Sequence, residues 1–229
     1  MNDLNSHSEG KRIAYYGGTF DPLHCGHLNI AKKLVDLFGL DDFVFIPAFH
    51  APHKPDSRPT SAYHRYAMLC LATENEEKIR VSLLEIESGE KRFSLDTLTQ
   101  LKTEDPENTI YFVMGADSWQ DITTWHEWER VLMLTNHIIV SRPGYQIGFE
   151  HVTPSVRERI VDIRGMNSDR IANLIEASGG HHIFITDIVE RDVSATLIRE
   201  DIQDDAVLDR TDDVPVEVAK YIEKYKLYK

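Results

Sequence analysis

At 229 residues, 41% of them apolar, the chain suits one large α/β domain with a sizeable buried core. A formal net charge of -13 argues against a broad DNA or RNA footprint, which shows as clustered Lys and Arg, and leaves any anion site to be made locally. Two cysteines, Cys25 and Cys70, are too few for a disulfide framework and fit a reducing, cytoplasmic compartment; no run approaches the roughly 18 apolar residues that a membrane span needs.

Residues 1–11 are polar, lack an apolar signal-peptide core and read as a flexible leader to a single domain over 12–229. The domain opens with a strand, Ile13–Tyr16, then a helix, Leu28–Phe38. A strand over Phe43–Pro47 and a helix over Ala62–Glu74 follow, then a strand over Arg80–Leu84 and a helix over Leu95–Lys102. Thr109–Val113 reads as a strand, Trp125–Leu134 as a helix and His137–Val140 as a strand. The segment 148–180 reads as a surface insertion with helices at Val156–Ile163 and Ile171–Ala177. A last strand, His182–Thr186, precedes a terminal helix over Val214–Tyr228, with Pro215 near its start. Strands alternating with helices of this length imply right-handed crossovers and a parallel sheet. The fold expected is therefore α/β: a Rossmann-like open parallel sheet with helices on both faces and a small C-terminal helical part. Oligomeric state is not legible, and a homo-oligomer is left open.

The strongest signal joins the first strand to the first helix: Gly17-Gly18-Thr19-Phe20-Asp21-Pro22-Leu23-His24-Cys25-Gly26-His27. Ligands of open parallel sheets bind outside the carboxyl ends of strands, where this loop lies. Gly17 and Gly18 let backbone approach a ligand, and Thr19 offers a hydroxyl and an N–H. His24 and His27, three apart at a helix start, can face one phosphate, which the helix N-terminus also attracts. The spacing is neither a P-loop nor G-x-G-x-x-G. Two histidines without a Cys or Glu partner also make an incomplete zinc set.

Gly17–His27 resembles the G-G-T-F-D-P-x-H-x-G-H signature of the nucleotidyltransferase superfamily. An ordered set of further matches resembles the bacterial nicotinate-nucleotide adenylyltransferases over most of Ile13 to Tyr228. The set is Pro52-His53-Lys54, Arg65 with Met68-Leu69, Phe93-Ser94-Leu95-Asp96-Thr97-Leu98 and Met114-Gly115-Ala116-Asp117-Ser118. It continues with Trp125, Arg142-Pro143-Gly144-Tyr145, Ser194-Ala195-Thr196-Leu197-Ile198-Arg199 and the ending Leu227-Tyr228.

The resemblance implies adenylyl transfer from ATP to nicotinate mononucleotide, with magnesium as cofactor and no metal held by protein side chains. It implies catalytic roles for His24, His27, Lys54 and Arg199. ATP would meet Gly17, Gly18, Thr19 and Phe20, both histidines, Gly115, Asp117, Ser194, Thr196 and Arg199. The mononucleotide would meet Thr19, Lys54, Ser94, Trp125 and His126, with its carboxylate read by backbone N–H groups near Ser94 and His126. Blander readings exist for each residue taken alone: Lys54 as a solvated loop side chain, Ser194 and Asp117 as helix caps, Trp125 as core like Trp119 and Trp128. Two departures stand out. Arg92-Phe93-Ser94 replaces a common Ser-Tyr-Thr, and His126 replaces a frequent Tyr. Other acceptors (nicotinamide mononucleotide, phosphopantetheine) and a nucleotide sensor without turnover remain alternatives. A class I aminoacyl-tRNA synthetase fragment would need a Lys-rich second signature and a basic surface, and neither is present.

Overall fold

The computed structural model describes residues 10–50, 59–141, 146–177, 180–189, 193–204 and 213–229. Residues 1–9 of the expected leader, Lys54 with its Pro52-His53 neighbours, and Arg142-Pro143-Gly144-Tyr145 lie outside them; Lys11, expected in the leader, instead pairs with Asp42 at 3.1 Å.

Seven parallel strands form one sheet in the order β3-β2-β1-β4-β5-β7-β6. They are β1 (Arg12–Gly18), β2 (Asp42–Pro47), β3 (Ile79–Val81), β4 (Thr109–Gly115), β5 (Asn136–Val140), β6 (Ile160–Asp162) and β7 (Ile183–Thr186). Alternation along β1, an interior strand, sorts the core into two layers. Ala14 packs on one face with Leu34, Phe38, Phe43, Phe45, Tyr111 and Phe184. Ile13 and Tyr15 pack on the other with Leu98, Phe112, Met114, Trp119 and Ile185. The strands are apolar on both sides because helices cover both faces. Helix α1 (Cys25–Phe38) buries Leu28, Ala31, Leu34, Val35 and Phe38 and stops at Gly39, whose left-handed φ of 57° turns its N–H back to the Val35 carbonyl. Helix α2 (Ala62–Thr73) lies against the last helix, and α3 (Leu84–Ser88) and α4 (Ser94–Glu104) follow β3. Among the described residues, no helix is long and apolar enough to cross a membrane.

Three segments differ from the sequence reading. Val156–Ile163 is not one helix: α7 (Pro154–Arg157) ends after one turn and β6 follows. Ile160-Val161, β-branched, pair with Ile183 and Phe184 at the sheet edge, where the open backbone of β7 takes an added strand. The segment 148–180 thus adds a strand to the sheet, and Val156, Ile163 and, from α8 (Ser168–Ala177), Ile171 are buried in the core. The strand expected at Arg80–Leu84 ends at Val81, and Leu84 opens α3. The helix expected over Trp125–Leu134 begins only at Trp128, as α6 (Trp128–Leu134). Before it, α5 (Ala116–Gln120) and a short 3₁₀ turn, Ile122–Thr124, leave Trp125 extended, with ψ of 149°. Helices α9 (Ala195–Gln203) and α10 (Val216–Tyr225) close the chain.

One buried histidine of the core titrates within reach of ordinary conditions. His137 on β5 is fully buried, and its Nδ1 lies 3.1 Å from the Thr135 carbonyl, which can only accept, so Nδ1 carries the proton. Burial first, and then the charge of Arg159, push its pKa down to about 3. An unfolded histidine titrates near 6.5, so between these values the unfolded chain binds the extra proton. Stability from neutral His137 is complete above the unfolded value and is lost as pH falls toward the folded one. The expected loss between pH 7 and pH 5 is about 2 kcal/mol. Urea unfolding at both pH values should show that slope flattened in His137→Phe; an unchanged slope would assign it to other groups.

Candidate active site

From β1 the chain builds outward through β2 to β3, then crosses to the other side of β1 to lay down β4. That reversal opens a crevice above the carboxyl ends of β1 and β4, the usual ligand position in such sheets. A cleft of about 790 Å³ occupies it, within the range usual for small-molecule sites. Its floor is the loop Gly17–Asp21 and the Gly115–Ser118 turn after β4.

The loop is held from behind. Arg65 on α2 is almost fully buried. Its guanidinium donates to the carbonyls of Thr19 at 2.6 Å, Thr60 at 2.8 Å and Ala48 at 2.6 Å. Asp21, also buried, accepts the Thr60 N–H at 3.1 Å on one carboxylate oxygen and the Tyr228 hydroxyl at 2.6 Å on the other. Burial, with the Asp21 charge beside it, pushes the Tyr228 pKa far up, so the phenol stays a donor. Phe20 adopts a left-handed φ of 49°, and a Cβ on Gly18 would sit 2.8 Å from its ring. Glycine is therefore required at 18 for the loop to fold back on itself.

The two histidines meet at the start of α1. Their rings stack with centroids 3.7 Å apart and planes at 28°. Gly26 makes room, since a Cβ there would lie 3.0 Å from His24 Nδ1. His27 Nδ1 accepts the His24 backbone N–H at 3.3 Å, so neutral His27 carries its proton on Nε2, ready to donate to an anion. The Phe20 ring stands edge-on to His27 at 5.1 Å and restrains it. The N-terminus of α9 lines the same cleft with Ser194, Thr196 and Arg199. Arg199 is pinned at both ends of its fork, by the Asp21 carbonyl at 2.6 Å and Thr196 Oγ1 at 3.2 Å. Ser194 sits at the N-cap, yet its hydroxyl makes no capping bond. At the end formed by α4 and the 3₁₀ turn, Ser94 and Trp125 line the cleft, with the indole edge-on to Phe112 at 6.4 Å.

Residues 15–201 match the cytidylyltransferase-like family. The probable nicotinate-nucleotide adenylyltransferase of Geobacter sp. (strain M21) is 37% identical over 219 residues, covering 95% of this chain and 98% of its own. The chain belongs to the nicotinate-nucleotide adenylyltransferase family. A member from Mycobacterium bovis (strain BCG / Pasteur 1173P2) is 40% identical over 137 residues, 60% of this chain and 64% of that one. The Plasmodium falciparum nicotinic acid mononucleotide adenylyltransferase, solved in complex with APC and with NaAD, shares the fold. The APC complex gives a TM-score of 0.69 at 21% identity, covering 95% of this chain and 97% of that one. The NaAD complex gives 0.68 at 23%, with the same coverage.

In this nicotinate-nucleotide adenylyltransferase family member, one cleft gathers Gly17, Gly18, Thr19, Phe20, His24, His27, Ser94, Gly115, Asp117, Trp125, Ser194, Thr196 and Arg199. It does not gather His126, whose exposed ring instead lies tilted against Phe93 at 4.5 Å and 3.4 Å from the Glu127 carboxylate. Trp119 is core, as expected, and Trp128 only partly buried. Sequence reasoning gave no role to Asp21, Arg65 or Tyr228, and it missed Glu85, Arg92 and Thr97 along the cleft wall. Arg65 belongs with Met68-Leu69 to the family resemblance, and an arginine within the helical run at 62–73 was the physical signal that could have given it a role.

Proposed function

We propose that this chain transfers the adenylyl group of ATP to nicotinate mononucleotide in the cytoplasm, forming nicotinate adenine dinucleotide and pyrophosphate in NAD biosynthesis. The observation that carries this reading is the stacked His24–His27 pair sharing a switch-point cleft with Arg199. In the reaction, a 5′-phosphate oxygen attacks the α-phosphorus and the bond to pyrophosphate breaks. The nucleophile is already an anion, so no strong base is needed, and catalysis reduces to in-line positioning and charge neutralisation. The Nε2–H of His27 and the imidazole of His24 serve the α- and β-phosphates. Ser194, Thr196, the first N–H groups of α9 and the fork of Arg199 receive the triphosphate. Gly17, Gly18, Thr19 and Phe20 give the backbone surface, while Gly115 and Asp117 take ribose hydroxyls. Trp125 stacks on the pyridine ring beside Ser94 and Thr19. Lys54 adds a phosphate contact, and His126 acts through its backbone only.

Among the described residues, no three of His, Cys, Asp and Glu converge as metal ligands. Magnesium accompanying ATP would be held mainly by the triphosphate and water, with few protein ligands, and would supply charge neutralisation there. EDTA should abolish pyrophosphate release and added MgCl₂ should restore it; activity untouched by chelation would remove the metal from this scheme.

The function itself is tested by initial rates of pyrophosphate release at sub-saturating mononucleotide. Nicotinate mononucleotide should exceed nicotinamide mononucleotide in kcat/KM by about 10², because an amide placed among N–H donors leaves one of them unpaired. Equal values would favour a dual-specificity enzyme, and no release with either a sensor.

A further inference from the structure

The cleft has two kinds of lining. Besides the stacked histidines and Arg199 it carries an aromatic surface, Trp125 edge-on to Phe112, and a guanidinium and a carboxylate on the segment that leads into α4. The guanidinium is that of Arg92, at the position where the chain departs from the Ser-Tyr-Thr pattern. Its Nη2 donates to Gln100 Oε1 at 2.7 Å, which anchors one side of the fork. Its Nε–H is buried and meets no acceptor among the described residues. A buried charged donor left unpaired is costly, and an acceptor on a bound ligand would complete it. The carboxylate is that of Glu85, which accepts from the buried Thr97 hydroxyl at 2.8 Å. Burial pushes its pKa up, while the Thr97 bond and the nearby Arg92 charge pull it down.

We propose that Arg92 and Glu85 are specificity-determining residues that together read a zwitterionic aromatic ring, Arg92 taking a ring carboxylate and Glu85 facing the cationic ring nitrogen. This rests on the proposed substrate, whose N-glycosylated pyridine bears a positive charge and whose carboxylate a negative one. The amide analogue keeps only the positive charge. It gives Arg92 no charged partner and sets a cationic ring beside an unpaired guanidinium, so discrimination arises from repulsion as well as from a lost bond.

The test is kcat and KM for both mononucleotides in wild type, Arg92→Gln and Glu85→Gln. R92Q should lower the acid-to-amide ratio of kcat/KM at least about tenfold, chiefly by raising KM for the acid. E85Q should weaken both substrates, which share the ring charge, and should not lower the ratio. A guanidinium that merely braced α4 would lower both substrates equally in R92Q, and an unchanged ratio overturns the proposal. So does an E85Q variant with unaltered KM for both. Should R92Q not fold, Arg92→Lys keeps the charge without the Nε–H and should give an intermediate ratio; a wild-type ratio there is equally fatal. If wild type turns over neither mononucleotide, the substrate assignment has failed. If it prefers the acid while R92Q keeps that preference, only the role of Arg92 has.

Discussion

His27→Ala should fold normally and lose about 10² to 10³ in kcat, the usual consequence of removing one preorganised donor from the point where charge builds up. The ring is half-buried and flanked by Phe20 and Tyr16, so its loss trims the loop's packing without opening the core. Its Nδ1 is occupied by the His24 N–H, which leaves Nε2 as the donating atom. KM for ATP and for the mononucleotide should change much less than kcat, because the backbone loop, α9 and Arg199 still hold the ground state. Single-turnover rates with saturating ATP, together with circular dichroism of the variant, separate the two effects. A near-normal kcat would make the histidine a structural member of the helix start.

Arg65→Met should destabilise the protein by about 3 to 5 kcal/mol, the range for breaking a buried, fully hydrogen-bonded charge. The side chain is almost fully buried, and its loss leaves the carbonyls of Thr19, Ala48 and Thr60 without their donor. Asp21, which lies near enough to support the charge of Arg65, would lose that support. At roughly 2–4 °C per kcal/mol for a domain of this size, thermal unfolding should move down by roughly 6 to 20 °C. Arg65→Lys should rescue little, since one ammonium cannot reproduce the planar fork that spans three carbonyls. A shift below roughly 2 °C would mean that the loop holds its shape without this arginine.

Much of the site was legible because its elements are local. The run Gly17–His27 sits between a strand and a helix, so glycine, histidine and helix-start chemistry fall within eleven residues of sequence. The six expected strands all exist, the third cut short at Val81, because apolar runs bounded by turn residues suit a sheet covered on both faces. What the sequence did not disclose depends on distance along the chain. Tyr228 reaches Asp21 across 207 positions, and Arg199 reaches it across 178. β6 was read as helix because its periodicity over three residues is ambiguous, and only the edge of β7 made it a strand.

The sequence by itself determined the class of fold, the loop Gly17–His27 and the identity of most groups that line the cleft. The alternation of apolar strands with amphipathic helices can be satisfied only by a covered parallel sheet. The tertiary structure alone decided which of those groups share a cleft. It turned Trp125 into the cleft by breaking the helix before it, left the His126 ring outside on Phe93, and brought Glu85 and Arg92 to the wall. The physical reason is that a residue's type is fixed along the chain, whereas its neighbours are set by the strand order. Here β4 crosses to the far side of β1, so residues more than a hundred positions apart come to line one cleft.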